Sequence, residues 1–124
     1  MSELNAAFLT TVEKLWEEKK YNTLRDVLST MQPARVADLL ARLPENAPAM
    51  LFRLMPKELA ADTFVEMDAD MQEKLIKSFS DTELRGVLDE LYMDDAVDLV
   101  EEMPANVVRR ILAQADPEMR KSIN

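Results

Sequence analysis

Cysteine and histidine are both absent from these 124 residues. Their absence excludes a disulfide framework, a thiolate nucleophile, an imidazole base and the usual zinc and haem ligand sets. Glycine occurs once, so there is no glycine loop to cradle a phosphate and no glycine turn of the kind that closes a calcium cage. Aromatic residues are few: four phenylalanines, two tyrosines and a single tryptophan. No apolar run approaches the eighteen residues that a membrane-spanning helix needs. The opening residues read as neither a signal nor a transit peptide, since Glu3 stands near the start and no apolar run follows. The chain therefore reads as cytosolic in character.

What is present is a repeat of twelve residues. Met31, Leu43, Met55, Met67, Phe79, Leu91, Met103 and Ala115 are all apolar, and so are Leu28, Leu40, Phe52, Phe64, Ile76, Leu88, Val100 and Leu112. A third row, from Val27 to Ile111, is broken only by Thr63; a fourth, from Leu24 to Val108, is interrupted by Pro48 and Gln72. At 48% hydrophobic composition, chance fills about four of the eight places in such a row. Rows spaced by three, four and seven residues share one face of an α-helix, whereas a strand would alternate. Twelve residues accommodate a helix of roughly nine residues and a turn of two or three.

The turns carry helix-start chemistry. Pro33, Pro44, Pro56, Pro104 and Pro117 fall where a first-turn proline costs no intrahelical hydrogen bond. Asp68, Ser80 and Asp81 offer capping oxygens, and Ser80 with Glu83 reads as a capping box. A nine-residue helix is unstable alone in water, so each must stack its apolar stripe on neighbours, as solenoid repeats do. The fold predicted is all-α: a right-handed superhelix of short antiparallel helix hairpins, 24 residues to a hairpin, distinct from the longer tetratricopeptide and HEAT repeats. Residues 1–23 read as an N-terminal capping helix with Phe8, Leu9, Val12, Leu15 and Trp16 on its apolar stripe, and residues 24–124 as the repeat domain. Trp16 reads as core packing of that cap.

The net charge is −9 and is concentrated. Residues 81–104 hold nine carboxylates against Arg85, leaving −8 in that segment. Such a surface disfavours nucleic acid and anionic membrane and favours cations or a basic protein face. Asp94 and Asp98 are four apart, with Glu101 and Glu102 following at three and four, which places them on a connected helical stripe. Asp94 and Asp95 suit a helix start, but Glu101 and Glu102 oppose the dipole at a helix end, a strain that a divalent cation would relieve. Magnesium suits such a face because it keeps most of its waters and needs only one or two carboxylates. An enzyme is not expected, for want of a nucleophile and of a concave pocket to separate two carboxylate pKa values.

The runs Pro33-Ala34-Arg35-Val36-Ala37-Asp38-Leu39-Leu40, Leu51 to Ala61, and Leu91-Tyr92-Met93-Asp94-Asp95-Ala96-Val97-Asp98-Leu99-Val100-Glu101-Glu102-Met103-Pro104 resemble the cytosolic N-terminal domain of MgtE magnesium transporters. The resemblance covers about residues 24–124 and is most specific in the Asp-Asp-x-x-Asp-Leu segment. It implies a right-handed superhelix, similar also to the middle region of a flagellar motor switch protein. It further implies a domain that precedes a pair of CBS modules and a membrane channel, with Mg2+ bound between acidic cytosolic faces to hold the gate closed. By resemblance Asp94, Asp98 and Asp62 match acidic positions facing magnesium, with Asp95 beside them as a further metal candidate. The family often has an acidic residue where this chain has Arg35, and proline where it has Met93.

Two functions are therefore expected to compete. One is a magnesium-sensing regulatory domain on the cytoplasmic side of the membrane, with the CBS pair and transmembrane domain as partners. The other is a helical-repeat adaptor that docks a partner helix or basic face and ignores metal.

Overall fold

The computed structural model describes residues 5–44 and 46–123. It contains ten helices and, among the described residues, no strand: α1 (Ala6–Glu17), α2 (Tyr21–Ser29), α3 (Pro33–Ala41), α4 (Ala47–Leu54), α5 (Lys57–Glu66), α6 (Ala69–Ser78), α7 (Asp81–Glu90), α8 (Met93–Glu101), α9 (Ala105–Gln114) and α10 (Pro117–Ile123). The chain is all-α, as its periodicity predicts. From α2 onward every helix but α4 begins twelve residues, or a multiple of twelve, after Tyr21. The repeat is thus realised helix by helix.

Two compact units follow one another, residues 1–67 and 68–124. In the first, α2 packs on α4, α3 on α5, and α1 closes on α2. In the second, α7 packs on α9, α8 on α10, and α6 also meets α9. Four of these pairings join a helix to the helix after next. This pairing buries the apolar rows: Leu28, Leu40, Leu51, Ile76 and Ile111 are all fully enclosed. The row with the most interruptions, from Leu24 to Val108, is buried at all but Val108. Thr63 and Gln72, the polar members of otherwise apolar rows, are the two buried polar residues of the core. Position in the repeat decides burial even where the side chain is polar.

The row that begins at Met31 differs from the helical stripe predicted for it. Met55, Met67, Phe79, Leu91 and Ala115 are C-cap residues with extended backbone, ψ between 144° and 155°. Met31, Leu43 and Met103 lie one residue beyond a helical C-cap. These side chains belong to the turns, and most are buried. From α2 to α9 an apolar residue in the turn after each helix stands in place of the glycine that usually ends a helix. Helix α1 ends in a Schellman motif, in which the Lys20 N–H donates to the Leu15 carbonyl and the Lys19 N–H to that of Trp16. Lys19 takes the left-handed conformation this requires, φ 59°.

Helix starts match the sequence reading with informative exceptions. Asp68 accepts from the Met71 N–H at 2.9 Å, and the Ser80–Glu83 capping box is complete. Asp81, expected as a cap, instead occupies the first helical position because Ser80 holds the cap. Pro33 and Pro117 open their helices, whereas Pro56 and Pro104 stand one residue earlier, at the caps. Pro44 lies outside α4: that helix starts two residues late, and Pro48 is the proline in its first turn. Asn5 and Asp116 also cap, accepting from Phe8 and Met119 at 2.7 and 2.8 Å. Of the α1 stripe, Val12 is buried, while Phe8, Leu9, Leu15 and Trp16 are half-buried; Trp16 lies against Tyr21, ring centroids 5.6 Å apart.

Candidate cation site

The acidic stripe is built on α8, a nine-residue helix anchored by its buried Ala96 and Leu99. Asp94 and Asp95 lie in its first turn, where the amide dipoles favour them. Asp98 follows one turn later on the exposed side. Glu101 is the last helical residue and Glu102 the C-cap, so both stand where the dipole opposes a negative charge. Asp94 and Asp98 are exposed and form no hydrogen bond or ion pair with the described residues. Asp95 is half-buried and engaged within the protein.

Asp62 sits on α5 between the buried Ala61 and Thr63 and is itself exposed, again without an ionic partner among the described residues. It belongs to the first unit, whereas the other three candidates belong to the second. Helix α8 thus brings Asp94, Asp95 and Asp98 together, and Asp62 stands on a separate element. Among the described residues no three carboxylates form a set able to hold a metal ion by themselves. The available chemistry is an open face of hard oxygen donors, suited to an ion that keeps most of its water.

The charge around this face is uncompensated. Asp89, Glu90, Asp94, Asp98, Glu101 and Glu102 are exposed, and none has an ionic partner among the described residues. Lys74, Arg109 and Lys121 of this unit make no ion pair among the described residues, and three further cations are engaged away from the acidic face. Arg110 pairs with Asp81, Lys77 with Glu73, and Arg85 donates to the Gln114 side chain.

The sequence reading did not single out Tyr92 and Met93 as surface features. Tyr92 is 74% exposed and Met93 38%. Aligning the repeats would have found the tyrosine. The corresponding position is held by Lys20, Gln32, Pro44, Pro56, Asp68, Ser80, Pro104 and Asp116, each of them polar or proline.

Residues 31–124 match the MgtE intracellular N domain. This chain belongs to that family. Its fold matches the crystal structure of the cytosolic domain of the Mg2+ channel MgtE in complex with ATP, with a TM-score of 0.78 at 24% identity over 93% of this chain and 48% of that one. It matches the soluble part of a magnesium transporter similarly, with a TM-score of 0.77 at 17% identity over 93% of this chain and 46% of the other. The chain spans about half the length of these solved structures. No curated protein matches it. No helix among the described residues is long and apolar enough to cross a membrane.

Proposed function

We propose that this MgtE N domain is a magnesium-sensing regulatory element, placed on the cytoplasmic side of a membrane transporter. In this reading Asp94 and Asp98 face the ion, with Asp62 and Asp95 contributing further acidic positions, and a CBS-domain pair supplies the opposing surface. The observation that carries the reading is the pair Asp94 and Asp98, one turn apart on α8, exposed and without an ionic partner among the described residues.

The physical logic is one of charge. Like charges at this spacing repel by a few tenths of a kcal/mol per pair, and an apposed acidic face would add to that repulsion. A bound divalent cation supplies neutralising charge, so the face docks when magnesium is abundant and separates when it is scarce. Because no closed set of ligands forms on the described residues, binding to the isolated domain is weak and is completed by the partner surface. The chain is a sensor without catalytic chemistry, since the carboxylates lie on an open helix face and lack a nucleophile to serve.

A magnesium titration followed by two-dimensional NMR, against sodium chloride of matched ionic strength, tests the reading. Selective and saturable shifts around Asp94, Asp95 and Asp98 are expected, and Asp94→Asn with Asp98→Asn should abolish them at unchanged helicity. A double variant that responds like the parent overturns the assignment.

A further inference from the structure

The face of α1 that carries Thr10, Glu13, Lys14 and Glu17 borders a groove of about 490 Å³, which Pro44 in the turn after α3 also lines. These four residues follow one another at the three- and four-residue spacing that shares a helix face. Trp16 lines the same groove, half-buried, its ring tilted 57° against that of Tyr21. The indole therefore packs on Tyr21 and borders the groove as well. Glu13 and Glu17 are exposed and have no ionic partner among the described residues, whereas Glu18 pairs with Lys20 at 3.5 Å. Helix α1 lies outside residues 31–124, the segment that matches the family domain. It belongs to the first unit and α8 to the second, so the acidic face of α8 does not account for this groove.

The lining selects the ligand. The volume falls in the range of small-molecule sites, about 300–1,000 Å³. A hydrated metal ion gains nothing from an indole and a proline. An anion would meet Glu13 and Glu17 against a single lysine, and a neutral apolar body would leave both carboxylates facing it. An organic cation suits the whole lining. Its charge pairs with a carboxylate, and its body lies on the indole, the ring that best attracts a cation. Glu13 and Glu17 stand one turn apart, about 6 Å along the helix axis. A butyl-length chain holds two end charges at a comparable span. We propose that the α1 groove binds a short aliphatic dication, with a guanidinium or ammonium at each end of a butyl-length chain. Glu13 and Glu17 take the two charges, and Trp16 takes the chain and the flat face of a guanidinium. Lys14 on the same face opposes the ligand and limits its affinity. This binding is independent of the regulatory reading.

Trp16 is the only tryptophan, so its fluorescence reports on the groove. Agmatine, which carries a guanidinium and an ammonium at the ends of a butyl chain, is titrated into the 124-residue chain at constant ionic strength. A saturable change in emission is expected, with butylamine binding about tenfold more weakly for want of the second charge. Glu13→Gln with Glu17→Gln should weaken agmatine by at least as much, and Lys14→Gln should tighten it about threefold. These side chains are exposed, so circular dichroism should stay the same in every variant. A blocked glycine–arginine–glycine peptide offers the guanidinium without a second charge and should bind no better than butylamine. Peptide binding as tight as that of agmatine overturns the proposal in favour of a protein side chain as the occupant. Equal binding of agmatine and butylamine, a response that follows ionic strength alone, or an unaffected double variant overturns it too. Magnesium chloride should leave the Trp16 emission unmoved, and displacement of agmatine by magnesium would mean that the groove reads charge alone and would sink the dication. Magnesium shifts around Asp94 and Asp98 bear on the sensor reading only, so the two can fail separately.

Discussion

Arg110 reaches from α9 to Asp81 at the start of α7, 3.2 Å away, while its guanidinium also donates to the carbonyls of Ile76 and Phe79 at the end of α6. Those carbonyls are among the groups that a helix end leaves without intrahelical partners. Arg120 does the same for α9, donating to Leu112 and Ala115 at 3.1 and 3.0 Å. Leu112 and Ala115 occupy the repeat positions of Ile76 and Phe79 three units on. Arginine from a later helix thus completes two of the glycine-free turns.

Arg110→Ala should therefore destabilise the domain by about 1–3 kcal/mol, because it strands half-buried carbonyls. Asp81→Asn should cost under about 1 kcal/mol, as its carboxylate is 65% exposed. Arg110→Lys should rescue only part of the loss, since a single ammonium cannot span both carbonyls and the carboxylate. Urea unfolding followed by circular dichroism measures all three. Equal losses for the arginine and aspartate variants would assign the stabilisation to the ion pair instead.

Thr63 is fully buried, and its hydroxyl has no hydrogen-bond partner among the described residues. Thr63→Val keeps the branched shape and removes the unsatisfied group, so it should stabilise by about 1 kcal/mol. A loss of stability on thermal unfolding would mean that the hydroxyl is satisfied after all.

Gly86 lies inside α7, and a methyl group added there would meet nothing within 4 Å. Gly86→Ala should gain about 0.5–1 kcal/mol from backbone entropy alone. The same unfolding assay checks it, and an unchanged magnesium response would show that the gain is confined to stability.

Asp89, Glu90, Asp94, Asp98, Glu101 and Glu102, without ionic partners among the described residues, predict a salt effect. Sodium chloride should raise the unfolding temperature by screening their repulsion, a gain of about 0.5 kcal/mol or more. Glu101→Gln with Glu102→Gln removes the two charges that face the helix dipole wrongly, and should both stabilise the domain and shrink the salt dependence. Stability that falls with added salt would contradict this account.

The twelve-residue rows made the helix starts and the buried positions legible before any coordinate, down to the polar intruders Thr63 and Gln72. That is because short helices with a fixed turn leave little freedom of register. The delay of α4 was not legible, since Pro44 and Pro48 both read as helix openers and only the local turn decides between them. The turn-plug role of Met55, Met67 and Phe79 was hidden because a stripe on a helix and a residue just past its end share the same spacing. The Arg110 contacts were hidden because they join residues 29–34 positions apart, which no local pattern encodes. Asp94, Asp95 and Asp98 were legible as one helical group, while the placement of Asp62 in another unit was not. Tyr92 was not legible from the apolar rows because it lies in the row of caps.

The apolar plugs of the turns, most of them buried, have a consequence for how such a chain can change. Ordinary surface loops absorb an extra residue cheaply. Here an added residue would push a Met, Phe or Leu out of the core and leave every later helix out of phase. The late start of α4 is tolerated because that helix is shorter, eight residues, and α5 begins on schedule at Lys57. Lengthening is therefore quantised. Whole twelve-residue units can be gained or lost where single residues cannot, and the reach of the domain changes by steps.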